Sequence, residues 1–372
     1  MGNKHTILGI MSGSSLDGLD MALCTFEFDG MSLTHWEVLA CEARPFPAGW
    51  VDRLRALPAG SARELAVAHA QFGQFLGEQA KAFLEAQTAD ADAIASHGHT
   101  IFHFPESGVS TQIGDGAAIA AITGRVAIDN FRMQDVALGG QGAPIAPIAD
   151  RYLFSEQTFM VNLGGIANIS ARTEQGYVAF DCSGANQVLN ALAQEAGQPY
   201  DKGGALARTG KCLPELLERA MALPYHQADF PKSLGNDWVQ EQLLPLYKDY
   251  PAAVEDRLHT ACWQIAQSID DSISAIAQKA TLPPGPHTML LTGGGAFNTF
   301  LVECICAKCE KNRSLAVEVP SPQIIEYKEA ILMALMGALR LENLPNTLPT
   351  ATGSTAPSCG GGLHTPPKTH NR

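Results

Sequence analysis

Positive charge is scarce in this chain: 25 Lys and Arg stand against 38 Asp and Glu, a formal net charge of −13. That balance argues against nucleic acid or an anionic membrane surface as partner. An anionic ligand would need local devices to hold it: backbone N–H groups, helix N-termini or a divalent cation. No apolar run is long and pure enough to span a bilayer. No secretory signal precedes the first apolar run, and several of the nine cysteines lie inside apolar stretches. A reducing cytoplasm is therefore expected. Two nucleotide signatures are also missing. Gly13 and Gly18 are spaced as in a P-loop, but Leu19 stands where that loop needs Lys, and no G-x-G-x-x-G follows a strand. Cys304, Cys306 and Cys309 have no second Cys/His pair nearby, and FLVECICAKCEK reads as one amphipathic helix, so no metal cluster is expected there.

What is present reads as an α/β protein of two domains. At 372 residues, with 46% apolar and 17% charged residues, the chain is globular and too long for one comfortable core. ILGIM and LDMALCTF read as strands around the loop SGSSLDG, and HWEVLACEARPF adds another strand. Ser61 to Gln87 reads as a helix, with Ser61 and Glu64 placed as a capping box and Leu65, Ala68, Phe72, Phe75, Leu76 and Phe83 on one face. AIASHG and VAIDNF are short strands, and the glycine-rich stretch Gly139, Gly140, Gly142, Pro144 suits a crossing between domains. FMVNLGGIANISA followed by GYVAFDCSGAN repeats the layout of the N-terminal hairpin, which hints at duplication. Leu258 to Lys279 carries the stripe Leu258, Cys262, Ile265, Ile269, Ile273, Ile276, and EYKEAILMALMGALRLENL is apolar round most of its circumference, so both are helices.

Three glycine-rich turns each follow an apolar strand directly: Gly13-Ser14-Ser15, Gly164-Gly165 and Gly293-Gly294-Gly295. Any one alone reads as a tight turn. Together they suggest a third way of holding a nucleotide, by bare backbone turns that let phosphates and a nucleoside approach closely. The first loop in full, Gly13, Ser14, Ser15, Leu16, Asp17, Gly18, Leu19 and Asp20, is the expected first phosphate turn.

The motifs MSGSSLDGLD, ASHGHTIFHFP, TQIGDGAAIA, FRMQDVALGGQGAP, NLGGIANIS, YDKGG, PKSLG and TGGGAFN resemble, in that order, the 1,6-anhydro-N-acetylmuramic acid kinase family. The resemblance implies two RNase H-like domains of the actin/hexokinase/Hsp70 type flanking a nucleotide cleft. Domain I would be residues 1–133 plus about 335–364, domain II residues 134–334, and 365–372 a disordered tail. It implies a reaction in which ATP phosphorylates O6 of the anhydro sugar while water opens the ring, giving N-acetylmuramic acid 6-phosphate in peptidoglycan recycling. ATP and Mg²⁺ are the expected cofactors, and a homodimer is implied.

Asp181, ending the strand GYVAFD, matches the family's catalytic aspartate, and a carboxylate can take a proton from water within hydrogen-bond reach. The competing reading is a turn-capping Asp. Glu329 resembles the family's second carboxylate, against a plain first-turn acid favoured by the helix dipole. Asp17 could help position Mg²⁺ through water or simply bond within its own turn. His97, Asp115 and Arg132 look like substrate-side groups. His97 could instead be a satisfied core histidine. Arg132 suits the sugar's lactyl carboxylate, against a surface ion pair. His103 is read as structural.

The chain departs from the family where Thr-Gly-Pro-Gly-Asn is replaced by Cys182-Ser183-Gly184-Ala185-Asn186, so a positive φ there would be strained. Ser14 replaces the usual Thr, and His99 the usual Gln. Two other classes compete with the kinase: a nucleotide-binding sensor that has lost phosphoryl transfer, and an ATP-independent glycosidase using Asp181 and Glu329.

Overall fold

The computed structural model describes residues 2–13, 16–309 and 314–366. It divides into two compact units, Met1–Phe154 with Tyr327–Arg372, and Ser155–Glu326.

In the first unit the apolar runs form a meander of three antiparallel strands, β1 (Asn3–Ser12), β2 (Gly18–Asp29) and β3 (Ser32–Pro45). The chain then crosses through the helix Ala62–Gln87 to β4 (Ala93–Ser96), which lies parallel to β1. The ribbon β5 (His99–Phe104) and β6 (Val109–Ile113) follows, and then β7 (Val126–Asp129), parallel to β4. A short strand, Gly362–His364, closes the edge beside β7, giving the order Gly362–His364, β7, β4, β1, β2, β3. The capping box is present as expected, with the Glu64 N–H on Ser61 Oγ at 3.2 Å and the Ser61 N–H on Glu64 Oε2 at 2.7 Å. A Ser cap of this kind contributes about 1 kcal/mol to a helix. Ala68, Phe72, Leu76 and Phe83 are fully buried against Leu8, Ile10 and Ile94 of the sheet.

The helix Pro322–Leu341 changes direction at Tyr327 (φ −108°, ψ 16°), and its later part packs on this sheet. At Gly9 of β1 an added Cβ would lie 2.0 Å from the carbonyl oxygen of Ala330. Only a residue without a side chain lets helix and strand come that close.

The second unit repeats the plan. The strands β8 (Phe159–Leu163), β9 (Ile166–Thr173) and β10 (Gly176–Gly184) form an antiparallel meander. The strands β11 (His287–Thr292) and β12 (Leu315–Glu318) add on the other side of β8, parallel to it, in the order β10, β9, β8, β11, β12. Both units therefore carry the same RNase H-like strand order, meander first and parallel strands second, and the duplication hinted at by the sequence is a duplication of topology. The helix Val254–Lys279 begins four residues before the expected Leu258, and its stripe from Leu258 to Ile276 is fully buried in the core of this unit.

Two expectations about organisation change. The boundaries between units fall at residues 154/155 and 326/327, not at 133/134 and 334/335. The glycine-rich stretch is not a crossing. The buried carboxylate of Asp135 accepts the Gly142 N–H at 2.8 Å and the Thr352 hydroxyl at 2.8 Å, and the Gln141 N–H reaches the Thr352 carbonyl at 2.8 Å. A buried charge must be met by donors, and these hold residues 139–144 inside the first unit. Of the expected tail, residues 367–372 lie outside the described residues.

Candidate functional site

The second unit brings two of the glycine turns and Asp181 onto neighbouring elements. The turn Gly164-Gly165 joins β8 to β9, and it accepts hydrogen bonds from the two residues that follow β10. The Ala185 N–H reaches the Gly165 carbonyl at 2.8 Å, and the Asn186 N–H reaches the Gly164 carbonyl at 3.1 Å. The Asn186 side chain continues the link, its Nδ2 donating to the Leu163 carbonyl at 3.0 Å. The turn that follows β11 comes up against the same residues. Gly293 has φ +79°, and a Cβ there would lie 2.7 Å from Asn162 Oδ1 and 2.9 Å from the Leu163 carbonyl carbon. One at Gly295 would lie 3.1 Å from Asn186 Oδ1. Gly165 and Gly294 are exposed, so backbone is what these turns present to solvent.

Asp181 stands half-buried on β10, one residue before a bulge at which the pairing with β9 slips. A bulge re-aims the side chains beside it. Here Cys182 and Ser183 are both buried in succession, and Gln264 Nε2 donates to Ser183 Oγ at 2.9 Å. The Asp181 carboxylate accepts two hydrogen bonds on Oδ2, from the Leu234 N–H at 2.7 Å and from Ser233 Oγ at 3.1 Å. The Tyr225 hydroxyl donates to the Asp181 main-chain carbonyl at 2.8 Å. Burial pushes the Tyr225 phenol well above its ordinary range, and the Asp181 charge adds to this. The positive φ that would strain the altered loop does not occur there. Ala185 has φ −129°, and no residue from Cys182 to Asn186 has a positive φ.

In the first unit the loop after β1 runs through Gly13, Leu16 and Asp17. Ser14 and Ser15 lie outside the described residues. The Leu16 N–H reaches the Gly13 carbonyl at 3.3 Å, and Leu16 holds φ +61° while its side chain packs against the core. Gly18, Leu19 and Asp20 already belong to β2, and Leu19 is fully buried. Its side chain fills the core, which leaves its backbone as the part this residue brings to the expected phosphate turn.

His97 and Arg132 meet in this unit. Arg132 donates from Nε to His97 Nε2 at 2.9 Å and from Nη1 to the Gly142 carbonyl at 2.6 Å. His97 Nδ1 faces the Gly98 carbonyl at 3.0 Å, which assigns the ring proton to Nδ1. Burial, then the Arg132 charge, push the His97 pKa down to about 3. A neutral, buried histidine with both nitrogens engaged orients Arg132, the arrangement of the satisfied core histidine that the sequence also allowed. Burial lowers the Arg132 pKa, and the charge of Glu329 raises it. Glu329 is exposed, two residues beyond the change of direction at Tyr327. It stands in the first turn of the part of its helix beyond Tyr327, where the sequence placed it. Lys328 beside it pairs with the buried Asp150 at 3.6 Å. Asp115 caps the helix Gly116–Thr123, its Oδ1 accepting the Ala117 N–H at 3.0 Å. His103 Nδ1 bonds Ser110 Oγ at 3.0 Å.

Sequence reasoning assigned no role to Ser233, Leu234, Tyr225, Asn162 or Asn186. The signals for three of them were present, in PKSLG and in the last position of the loop after Asp181. Among the described residues, no three His, Cys, Asp or Glu side chains are gathered as a metal cage.

Residues 5–366 match the sequence profile of the anhydro-N-acetylmuramic acid kinase family. An anhydro-N-acetylmuramic acid kinase of Gloeobacter violaceus is 34% identical over 371 residues, covering 93% of this chain and 95% of that protein. One of Shewanella loihica is 31% identical over 388 residues, covering 97% and 99%. Among solved structures, a ROK hexokinase from Thermus thermophilus aligns over 91% of this chain and 99% of that one, at 14% identity and a TM-score of 0.38. The fold assignment rests on the strand order of the two sheets, not on that superposition.

Proposed function

Because the chain belongs to the anhydro-N-acetylmuramic acid kinase family, we propose that it catalyses the ATP-dependent hydrolytic phosphorylation of 1,6-anhydro-N-acetylmuramic acid. The product is N-acetylmuramic acid 6-phosphate, in peptidoglycan recycling. The observation that carries this reading is the family match from residue 5 to residue 366. The place of Asp181 on β10, the strand whose following residues Ala185 and Asn186 bond the turn Gly164-Gly165, supports it.

The chemistry divides among the residues as follows. A water molecule gives its proton to the Asp181 carboxylate while its oxygen bonds to C1 of the sugar. The C1–O6 bond breaks, its electron pair stays on O6, and O6 takes the γ-phosphoryl group as ADP leaves. Gly164-Gly165 and Gly293-Gly294-Gly295 offer backbone to the nucleotide, and Gly13 and its loop are assigned to phosphate. Arg132 has Nη2 outside its bonds to His97 and Gly142, a donor suited to the lactyl carboxylate. Asp115 stays assigned to the sugar side through its second carboxylate oxygen, and Glu329 is assigned as the second carboxylate of the reaction.

Mg²⁺ commonly keeps several waters and takes one or two carboxylates plus substrate phosphates. A chain without a three-ligand cage among its described residues, and with the exposed Asp17 on the phosphate loop, fits that mode. Bound there, the ion would neutralise phosphate charge. None of the nine cysteines forms a disulfide, which supports a reducing cytoplasm as the setting. A homodimer completes the proposal, to be read from the mass of the protein in solution.

The test is ADP release with 1,6-anhydro-N-acetylmuramic acid, N-acetylmuramic acid and N-acetylglucosamine in parallel. ADP should appear with the anhydro sugar and be matched by the 6-phosphate product. Ring opening without ATP would favour the glycosidase reading, and ATP binding without turnover the sensor.

A further inference from the structure

We propose that the segment from Tyr225 to Leu234 is a positioning device that commits one oxygen of Asp181, Oδ2, to anchoring, so that Oδ1 is the oxygen that receives the proton from water. The proposal deepens the reading of Asp181 as the base and rests on it.

Four hydrogen bonds carry the inference. Ser233 Oγ and the Leu234 N–H both fall on Oδ2, at 3.1 and 2.7 Å. The Tyr225 hydroxyl falls on the main-chain carbonyl of the same residue at 2.8 Å. Lys232 Nζ donates to the Tyr225 carbonyl at 3.1 Å, closing the segment on itself. Its ammonium also lies 4.8 Å from the centre of the Tyr225 ring and 5.8 Å from that of Phe180. One end of the segment thus holds the backbone of Asp181 and the other holds its carboxylate.

The two donors on Oδ2 are delivered differently. Leu234 is buried, so its apolar side chain fixes the N–H in place whatever the solvent does. Ser233 is exposed, and its hydroxyl is a removable partner. A carboxylate oxygen has two lone-pair sites, and with both filled Oδ2 has none left for a reacting water. Among the described residues no donor falls on Oδ1, and the two bonds on its neighbour fix the plane in which its lone pairs point. In the step itself, one water proton goes to Oδ1 and the water oxygen bonds to C1. The carboxylic acid so formed later returns its proton to solvent. Ser233 and Tyr225 are therefore positioning residues, acting through Asp181. A plain turn cap would serve the loop and leave the rate of the chemical step unchanged.

The experiment is steady-state sugar-dependent ADP release by the full-length enzyme. Ser233→Ala should lower kcat about tenfold, as expected for a lost hydrogen bond to a charged group, with KM for ATP and for the sugar unchanged and the same Tm. Ser233→Thr, which keeps the hydroxyl, should restore most of the rate. Tyr225→Phe should lower kcat more weakly. In the Asp181→Asn background, Ser233→Ala should cost nothing further, because the group it positions is gone. Wild-type kcat in Ser233→Ala, no rescue by Thr, or an undiminished effect of Ser233→Ala in the Asp181→Asn background would each overturn the proposal. If Asp181→Asn is inactive while Ser233→Ala is fully active, the base assignment stands and the positioning fails. If Asp181→Asn alone keeps wild-type turnover, both fall.

Discussion

Arg132 donates its Nε–H to Nε2 of a buried, neutral His97 at 2.9 Å. The histidine acts as a fixed acceptor: its other nitrogen holds the Gly98 carbonyl, so the ring cannot turn without losing both bonds. With Nη1 held by Gly142, the guanidinium is clamped on two sides.

This clamp predicts a division of labour. Arg132→Ala should raise KM for the sugar by about a hundredfold, the loss of a charge-assisted pair of about 2–3 kcal/mol. KM for ATP should not move. His97→Ala should raise the sugar KM less, by about tenfold, since Arg132 remains but loses its orientation. Comparable losses for ATP in either variant would contradict the assignment.

The same histidine makes stability depend on pH. His97 is pushed down to about 3 and His226, half-buried in the second unit, to about 4, both from an ordinary value of 6.5. Burial is the larger cause in each. Above pH 6.5 neither group distinguishes folded from unfolded chain. As pH falls below 6.5 the unfolded chain takes up protons that the folded one refuses, so stability drops until the folded values are reached. Each proton contributes a slope of about 1.4 kcal/mol per pH unit. Denaturant unfolding between pH 7 and 4.5 should show this slope, and His97→Asn should remove about one proton's share.

Gly293 is predicted to tolerate no side chain. At φ +79°, with the Leu163 carbonyl carbon and Asn162 Oδ1 within 3 Å of any Cβ, Gly293→Ala must displace β8 or its own turn. Calorimetric titration with an ATP analogue should show at least about a tenfold weaker Kd, equivalent to about 1.4 kcal/mol. An unchanged Kd would remove this turn from the nucleotide site.

Asn186 bonds the turn Gly164-Gly165 through its N–H, and its side chain lies close to Gly295 of the other turn. Asn186→Ala should weaken ATP binding about five- to tenfold, through the lost bond to the Leu163 carbonyl. Gln187→Ala beside it should have little effect. Equal effects in the two variants would argue against a specific link.

Much of this was legible in the sequence, and where it was, the signal was local. The capping box at Ser61 and Glu64, the stripe from Leu258 to Ile276, and glycine turns directly after apolar strands depend on residues a few positions apart. What could not be read depends on distant partners. The stretch 139–144 looked like a linker because glycines and a proline mark turns. It stays in the first unit because Thr352, 217 residues from Asp135 along the chain, supplies a donor to a buried carboxylate. The anchoring of Asp181 comes from Ser233 and Leu234, 52 and 53 residues away. The strand read from LDMALCTF is there, and its pairing begins one residue earlier, at Gly18, with Leu19 in the core. The loss of two glycines after Asp181 looked costly. No residue from Cys182 to Asn186 takes a positive φ, so Ser183 and Ala185 meet no left-handed backbone there.

The central claim is that Asp181 activates water for a sugar kinase reaction while the glycine turns hold the nucleotide independently of it. Its most direct test is Asp181→Asn, assayed for anhydro-sugar-dependent ADP release and, on the same preparation, for ATP binding. The account predicts a rate at least about a hundredfold lower, the usual minimum for loss of a general base, with ATP affinity intact. Turnover at the wild-type rate, or loss of ATP binding along with the rate, would contradict it.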